Sequence, residues 1–189
     1  VDVSATTNKR LLISDNGVAD AAADLIALDA ALGAGCAEWT LAGGAMWIVG
    51  ANALLGGADD FGPLAKLVAI TGKASDGFSL YVEGNQLLES LDGLARLSGA
   101  LPGGLRVQNN PELRSLDGLA GLEGVDAGGG TGTDAQSTWS VLIHNNPRLR
   151  SVAGLRGALR GRTLPGQLVI ESNGEIASVA GLEGLAGAT

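Results

Sequence analysis

Six times along the chain a short stretch with apolar residues at alternate positions runs into an asparagine, and this recurrence limits the fold more than any other feature. The asparagines are Asn16, Asn52, Asn85, Asn110, Asn146 and Asn173. The fifth residue before each is Leu11, Trp47, Leu80, Leu105, Val141 or Leu168; the third before is Ile13, Val49, Val82, Val107, Ile143 or Ile170. Apolar residues two apart line one face of an extended chain, so each segment reads as a strand with one face buried. In the last four units the pattern continues past the asparagine in steps of three: Leu88, Leu91, Leu94; Leu113, Leu116, Leu119; Leu149, Val152, Leu155; Ile176, Val179, Leu182. A step of three is too tight for an α-helical stripe and suits a 3₁₀-like coil winding around a core.

Successive asparagines lie 36, 33, 25, 36 and 27 residues apart. A basal turn of about 25 residues with loops inserted in the longer units accounts for these spacings, and each unit reads as one turn of a β-solenoid with a parallel sheet. Stacked turns would set the asparagines in a ladder, their amides satisfying backbone groups that a tight corner leaves unpaired. Asn16 to Asn173 therefore read as structural. So do Pro111 and Pro147, just after the corner, and Gly93, Gly118, Gly154 and Gly181 in the DGL and AGL segments. The open end of a solenoid needs a cap. Residues 18–32 supply an N-terminal one, with Leu25, Leu28 and Leu32 on one helical face, Asp20 and Asp24 near the positive helix start, and Gly33 as the stop. A second short helix is expected over Pro63 to Val68, because proline suits a first helical turn.

The stretches LRVQNNPELRSLDGLAGL, from Leu105 to Leu122, and LIHNNPRLRSVAGL, from Leu142 to Leu155, resemble the repeat unit of receptor L domains. These are the leucine-rich β-helical modules of insulin-receptor and growth-factor-receptor ectodomains. The likeness spans four units, about residues 78–185. It is degraded in the first two, where Ala58 and Phe61 replace leucines and Ala22 stands where another is expected. The resemblance implies a right-handed β-helix with a flat parallel sheet, binding of a ligand or partner without catalysis, and an extracellular or cell-surface location. We expect a single solenoid domain over 1–189. Residues 1–45 would form the N-terminal strand and helical cap, and 46–189 the repeat coils with a Gly-rich insertion at 126–138.

Composition excludes several chemistries. A formal charge of −8 repels phosphate backbones, so no nucleic-acid partner is expected. One cysteine, Cys36, and one histidine, His144, leave no disulfide framework and no cysteine or two-histidine metal site, and no cofactor is expected. Cys36, beside Trp39, reads as a buried small hydrophobe or, at most, a single cofactor contact. No apolar run reaches the roughly 18 residues needed to span a bilayer. The sequence has no G-x-S-x-G elbow, Walker lysine or clustered acidic triad.

Function is then sought on positions that the turns do not need. Four residues before each asparagine stand Leu12, Ile48, Tyr81, Arg106, Leu142 and Val169. A sheet face open to water should be polar there, so this apolar column is a candidate partner-binding surface for a protein or a glycan. Alternatively, it is covered by another part of the same polypeptide. The next outward column, Ser14, Gly50, Glu83, Gln108, His144 and Glu171, is polar like a rim. His144 beside Glu171 has the makings of a general-base pair, or is an ordinary surface residue. Arg148, Arg150, Arg156, Arg160 and Arg162 fall in a stretch without acids and could dock an anionic partner; solvated corners are the plainer reading. The expected function is a non-enzymatic binding module. Its alternative is an architectural subunit built into a larger assembly, in which case the location would be an organelle lumen.

Overall fold

The computed structural model describes residues 2–4, 10–14, 23–50, 58–128 and 138–188. In sequence order the elements begin with β1 (Asp2–Ser4), β2 (Arg10–Ser14), α1 (Ala23–Leu32), β3 (Trp39–Ala42), β4 (Ala45–Val49) and β5 (Leu67–Ile70). They continue with β6 (Phe78–Glu83), β7 (Gly99–Leu101), β8 (Gly104–Gln108), β9 (Leu122–Val125), β10 (Trp139–His144), α2 (Arg156–Leu159), β11 (Thr163–Leu164), β12 (Gln167–Glu171) and β13 (Gly187–Ala188). Strands β2, β4, β6, β8, β10 and β12 form one parallel sheet in sequence order, with β2 and β12 at its edges. Three smaller parallel sheets, β1-β3-β5, β7-β9 and β11-β13, accompany it.

Register follows from the alternation of apolar residues. Ile13, Ile48, Val82, Val107, Ile143 and Ile170 face one another along one inward row; Leu11, Met46, Leu80, Leu105, Val141 and Leu168 form the other. The second unit therefore sits one residue away from the expected alignment. Met46 and Ile48, both fully buried, take the inward places assigned to Trp47 and Val49. Val49 pairs with Glu83, two residues before Asn85, so counting on from Val49 reaches Ala51 and not Asn52. All four residues from Met46 to Val49 are apolar, so alternation alone does not discriminate the register, and a slip of one residue exchanges the faces.

The asparagine ladder forms in four units; Asn16 and Asn52 lie outside the described residues. The main-chain N–H of Asn85 donates to Oδ1 of Asn110 at 3.1 Å, that of Asn110 to Asn146 at 3.1 Å, and that of Asn146 to Asn173 at 2.9 Å. Each Nδ2 also meets strand carbonyls. That of Asn110 lies 3.2 Å from Val82 O and 2.9 Å from Gln108 O. Asn85, Asn110 and Asn146 are buried, so these amides satisfy corner groups that have no access to water.

A second ladder, not anticipated from the sequence, runs through Ser90, Ser115, Ser151 and Ser178, which are bridged in parallel. Each hydroxyl accepts the N–H two residues on, at Asp92, Asp117, Ala153 and Ala180. Its signal was present, since every one of these serines lies five residues after a ladder asparagine. Short 3₁₀ helices follow at Asp92–Leu94, Asp117–Leu119 and Ala153–Leu155, and their leucines enter the core completely. The glycines within them are dictated by contact between units. A Cβ at Gly118 would be driven into the Leu91 carbonyl, and one at Gly154 into that of Leu116.

Helix α1 makes up the part of the expected cap that is described, with Leu28 and Leu32 buried. It packs on a 3₁₀ segment, Ala58–Lys66, which is interrupted at Gly62 (φ 49°). The helix expected to Val68 ends at Lys66, because Leu67 and Val68 already belong to β5. Trp39 anchors this corner by donating Nε1–H to Pro63 O at 2.7 Å.

Two substitutions test the packing. Asn110→Ala removes an acceptor used by Asn85 and a donor to the carbonyls of Val82 and Gln108, the latter keeping its bond from the Gly84 N–H, so chemical denaturation should show a loss of about 2 kcal/mol. Gly118→Ala should cost roughly 2–3 kcal/mol by overpacking, read from the same unfolding curves.

Candidate functional site: the outward face of the sheet

Side chains pointing away from the core form two columns. The first is Leu12, Trp47, Tyr81, Arg106, Leu142 and Val169. Trp47 replaces Ile48, which the register sends into the core. Nor is the column a uniformly exposed apolar stripe. Leu12 is 42% exposed, but Tyr81 and Leu142 fall to 6% and 7%, while Trp47, Arg106 and Val169 are half-buried.

Part of the cover comes from the protein itself. Phe78 on β6 and Trp139 on β10 belong to strands separated by β8, yet their rings approach to 6.4 Å with planes 27° apart. They meet over Gly104, the partner of Phe78 in register, where a Cβ would lie 2.9 Å from the Phe78 ring. Gly128 then pairs antiparallel with Trp139, donating its N–H to the tryptophan carbonyl at 2.6 Å. The beginning of the Gly-rich insertion is thereby laid against the sheet. Residues 129–137, the bulk of that insertion, lie outside the described residues.

Arg106 occupies the middle of this surface. Its guanidinium carbon sits 4.7 Å from the centre of the Tyr81 ring and 5.7 Å from that of Phe78, within range of cation–π attraction. Trp47 meets Tyr81 edge-on at 4.7 Å. The Nε of Arg106 is buried and has no hydrogen-bond partner among the described residues. Arg96, Arg114, Arg148, Arg150 and Arg156, all exposed, each pair with a carboxylate. Among the described residues no carboxylate lies within ion-pair distance of Arg106.

The second column reads Val49, Glu83, Gln108, His144 and Glu171, with Val49 in the place expected for Gly50; Ser14 pairs with Val49 in backbone register, and its side chain lies outside the described residues. Glu83 is its hub. One carboxylate oxygen accepts from the Tyr81 hydroxyl, and the other from Gln108 Nε2 at 2.5 Å and Asn109 Nδ2 at 3.1 Å. Burial pushes the Glu83 carboxyl upward, but the bonds from Tyr81, Gln108 and Asn109, helped by the Arg106 charge, outweigh it and hold the group below its ordinary value. Tyr81 moves far above the usual tyrosine range. Desolvation is the main cause, followed by the bond to Glu83, and Arg106 opposes both.

His144 lies in register between Gln108 and Glu171, as expected. Its imidazole makes no hydrogen bond to either among the described residues, so the general-base pair is not assembled. Nor do the described residues gather three or more His, Cys, Asp or Glu side chains that could hold a metal ion. Cys36 is half-buried against the core, its thiol 3.4 Å from Glu38 O. No described helix is long and apolar enough to cross a membrane.

The five-arginine stretch is largely neutralised by neighbouring units. Arg148 pairs with Glu112, Arg150 with Glu175 at 3.1 Å, and Arg156 with Glu183 at 2.8 Å. Arg160 and Arg162 are exposed and make no ion pair among the described residues; the Arg162 guanidinium lies against Gly124. The expected anionic docking patch thus shrinks to these two side chains. Its acids were invisible in the local stretch because they lie 25 to 36 residues away.

Just beyond the polar column, Asn109, Asn145 and Ser172 take left-handed backbone angles (φ 58°, 52° and 57°), in series with Gly50 and Gly84. Asn145 Nδ2 donates to Asn109 Oδ1 at 2.8 Å. With Gln86, Pro111 and Pro147 these two asparagines line an open depression of about 370 Å³ at the end of the sheet. The Asn-Asn doublets at 109–110 and 145–146 were the sequence signal, since asparagine tolerates positive φ better than other side chains. Compared with known proteins, the sequence and its fold match no family model, no curated protein and no solved structure.

The Glu83 arrangement fixes the sign of a pH effect. A carboxyl held lower when folded than when unfolded stabilises the fold above its unfolded pKa, and that contribution is lost as pH falls through the folded value. In acid, the wild type should therefore lose stability more steeply than Glu83→Gln, as read from denaturation midpoints on descending from neutral pH through the carboxylate range.

Proposed function

We propose that the protein is a leucine-rich β-solenoid module of the receptor-L-domain kind, which binds a protein partner on the outward face of its sheet and performs no catalysis. The sequentially ordered parallel strands, the asparagine side-chain ladder, the backbone bridges at the serines and the 3₁₀ corners in three-residue apolar steps support the solenoid reading. One observation carries the binding reading: the middle of the outward face holds a half-buried arginine on an aromatic shelf, bordered by half-buried Trp47, Trp139 and Val169. Buried arginine and aromatic groups are the side chains that dominate the energetics of protein interfaces. The polar column from Glu83 to Glu171 would form its rim. An extracellular or cell-surface location goes with the receptor-L-domain likeness.

The alternative, an architectural subunit, draws support from the last unit. Val179 is 64% exposed, and Leu168, Ile170, Ile176, Leu182 and Leu185 are only partly buried beside the edge strand β12. Such an end favours permanent burial in an assembly, in an organelle lumen or elsewhere.

Two folded variants separate these readings when each is immobilised and challenged with extracts of the native cells. His144→Arg adds bulk and charge to the outward rim; Val179→Arg does so at the open end. For the binding module, His144→Arg should weaken retention of the captured protein by about tenfold or more while Val179→Arg leaves it unchanged. The reverse pattern assigns the interaction to the end of the stack. Retention untouched by either change defeats both.

A further inference from the structure

Among the described residues Arg106 is a half-buried cation without a directed acceptor, and its surroundings specify what would supply one. Resting on the outward-face reading above, we infer that Arg106 is an anchor for a single carboxylate from a protein partner, either an Asp or Glu side group or the partner's terminal carboxylate. Three observations carry this assignment. First, the guanidinium is held in place by Tyr81 and Phe78, at 4.7 and 5.7 Å, and not by any described carboxylate. A planar fork fixed on an aromatic shelf has already lost the rotational freedom that binding would otherwise cost. Second, of the guanidinium nitrogens only Nε is both buried and without a described partner; it is closed to water and ligand alike, and the two Nη groups are the donors left for an incoming oxygen.

Third, the nearby acid cannot fill the role. Glu83 is close enough for its charge and that of Arg106 to influence each other, but its two oxygens are occupied by Tyr81, Gln108 and Asn109. Three neutral donors hold that carboxylate away from the guanidinium. The fork of Arg106 is left for an acceptor from outside, and a carboxylate matches its geometry with two parallel bonds.

The same neighbours limit the ligand. Glu83 and Glu171 stand in the adjoining column, so the local field accepts one negative group and disfavours a polyanion. The rings beneath Arg106 are themselves buried, Phe78 at 2% and Tyr81 at 6% exposed, which removes them as platforms for stacking a sugar. In the same column, Arg106 is flanked on one side by Tyr81 and on the other by Leu142 and then Val169. That mixture of one cation with apolar neighbours suits a protein surface carrying an acidic side chain among apolar ones.

The test follows the Nε–Hε resonance of Arg106 in the full-length protein by NMR, assigned by its loss in Arg106→Lys. The probes are N-acetyl-glutamate methylamide, its uncharged glutamine counterpart, and glucuronate, each titrated at constant ionic strength. A saturable shift in the millimolar range with the glutamate compound, at least about fivefold weaker with the glutamine compound, supports the assignment. An unmoved resonance, or equal response to both amides, overturns it. Glucuronate binding about tenfold tighter than the glutamate compound overturns the protein source in favour of a sugar acid. The capture experiment with His144→Arg stands apart from these outcomes. If that variant releases its partner while the Arg106 resonance ignores carboxylate, the binding face survives and the carboxylate anchor does not.

Discussion

The line of asparagine amides from Asn85 to Asn173 is the interaction on which the rest of the structure depends. Oδ1 of Asn110, Asn146 and Asn173 each accepts the main-chain N–H of the preceding unit's asparagine, so these four units are locked to one another at one fixed residue. Once that residue is fixed, alternation decides which strand side chains enter the core. The glycines complete the constraint on the far side of the core. At Gly118 and Gly154 the backbone of one unit presses on a carbonyl of the one before, leaving no room for a side chain. Asparagine and serine ladders thus hold the units at two corners, and the fully buried leucines between them fill the space so defined.

Much of this was legible because the repeat is written in residue types that have one physical use each. Strands and inward rows in the last four units, and the 3₁₀ steps in the first three of these, follow directly from the asparagine count. The second unit is ambiguous because its sequence discriminates least: four apolar residues from Met46 to Val49 offer either face to the core, and Asn52 gives a false origin one residue late. The aromatic cluster is hidden in the sequence for another reason. Phe78 and Trp139 lie beyond irregularities in strand register, between Phe78 and Leu80 and between Trp139 and Val141, so counting back from the asparagine does not reveal their direction. The arginine stretch looks unpaired in sequence because its pairing runs across units and not along the sequence.

Glu83 and Arg106 show how one patch can satisfy one charge and not the other. A carboxylate has two acceptor oxygens, and three neutral donors converge on those of Glu83. A guanidinium has only donors, and its neighbours here are ring faces, which attract its charge but take no directed bond comparable to that of an oxygen. The attraction between the two groups adds to the hydrogen bonds from Tyr81, Gln108 and Asn109 in lowering the carboxyl, without consuming the donors of Arg106. Replacing the shelf with a salt bridge would have neutralised the arginine and left the face closed to an anion.

The position of this patch along the sheet also bears on its rigidity. Strands β6, β8 and β10 each have a paired strand on either side, and their asparagines belong to the part of the ladder that is most buried. The last unit differs: β12 is an edge strand, and its apolar residues are incompletely covered. In a structure whose contacts are chiefly between neighbours, local opening begins where one neighbour is missing. A side chain that must hold one geometry for a partner is best placed away from such an edge. Arg106 sits on β8, two strands in from β12 and three from β2, where the proposed anchor would lose least to motion of the scaffold beneath it.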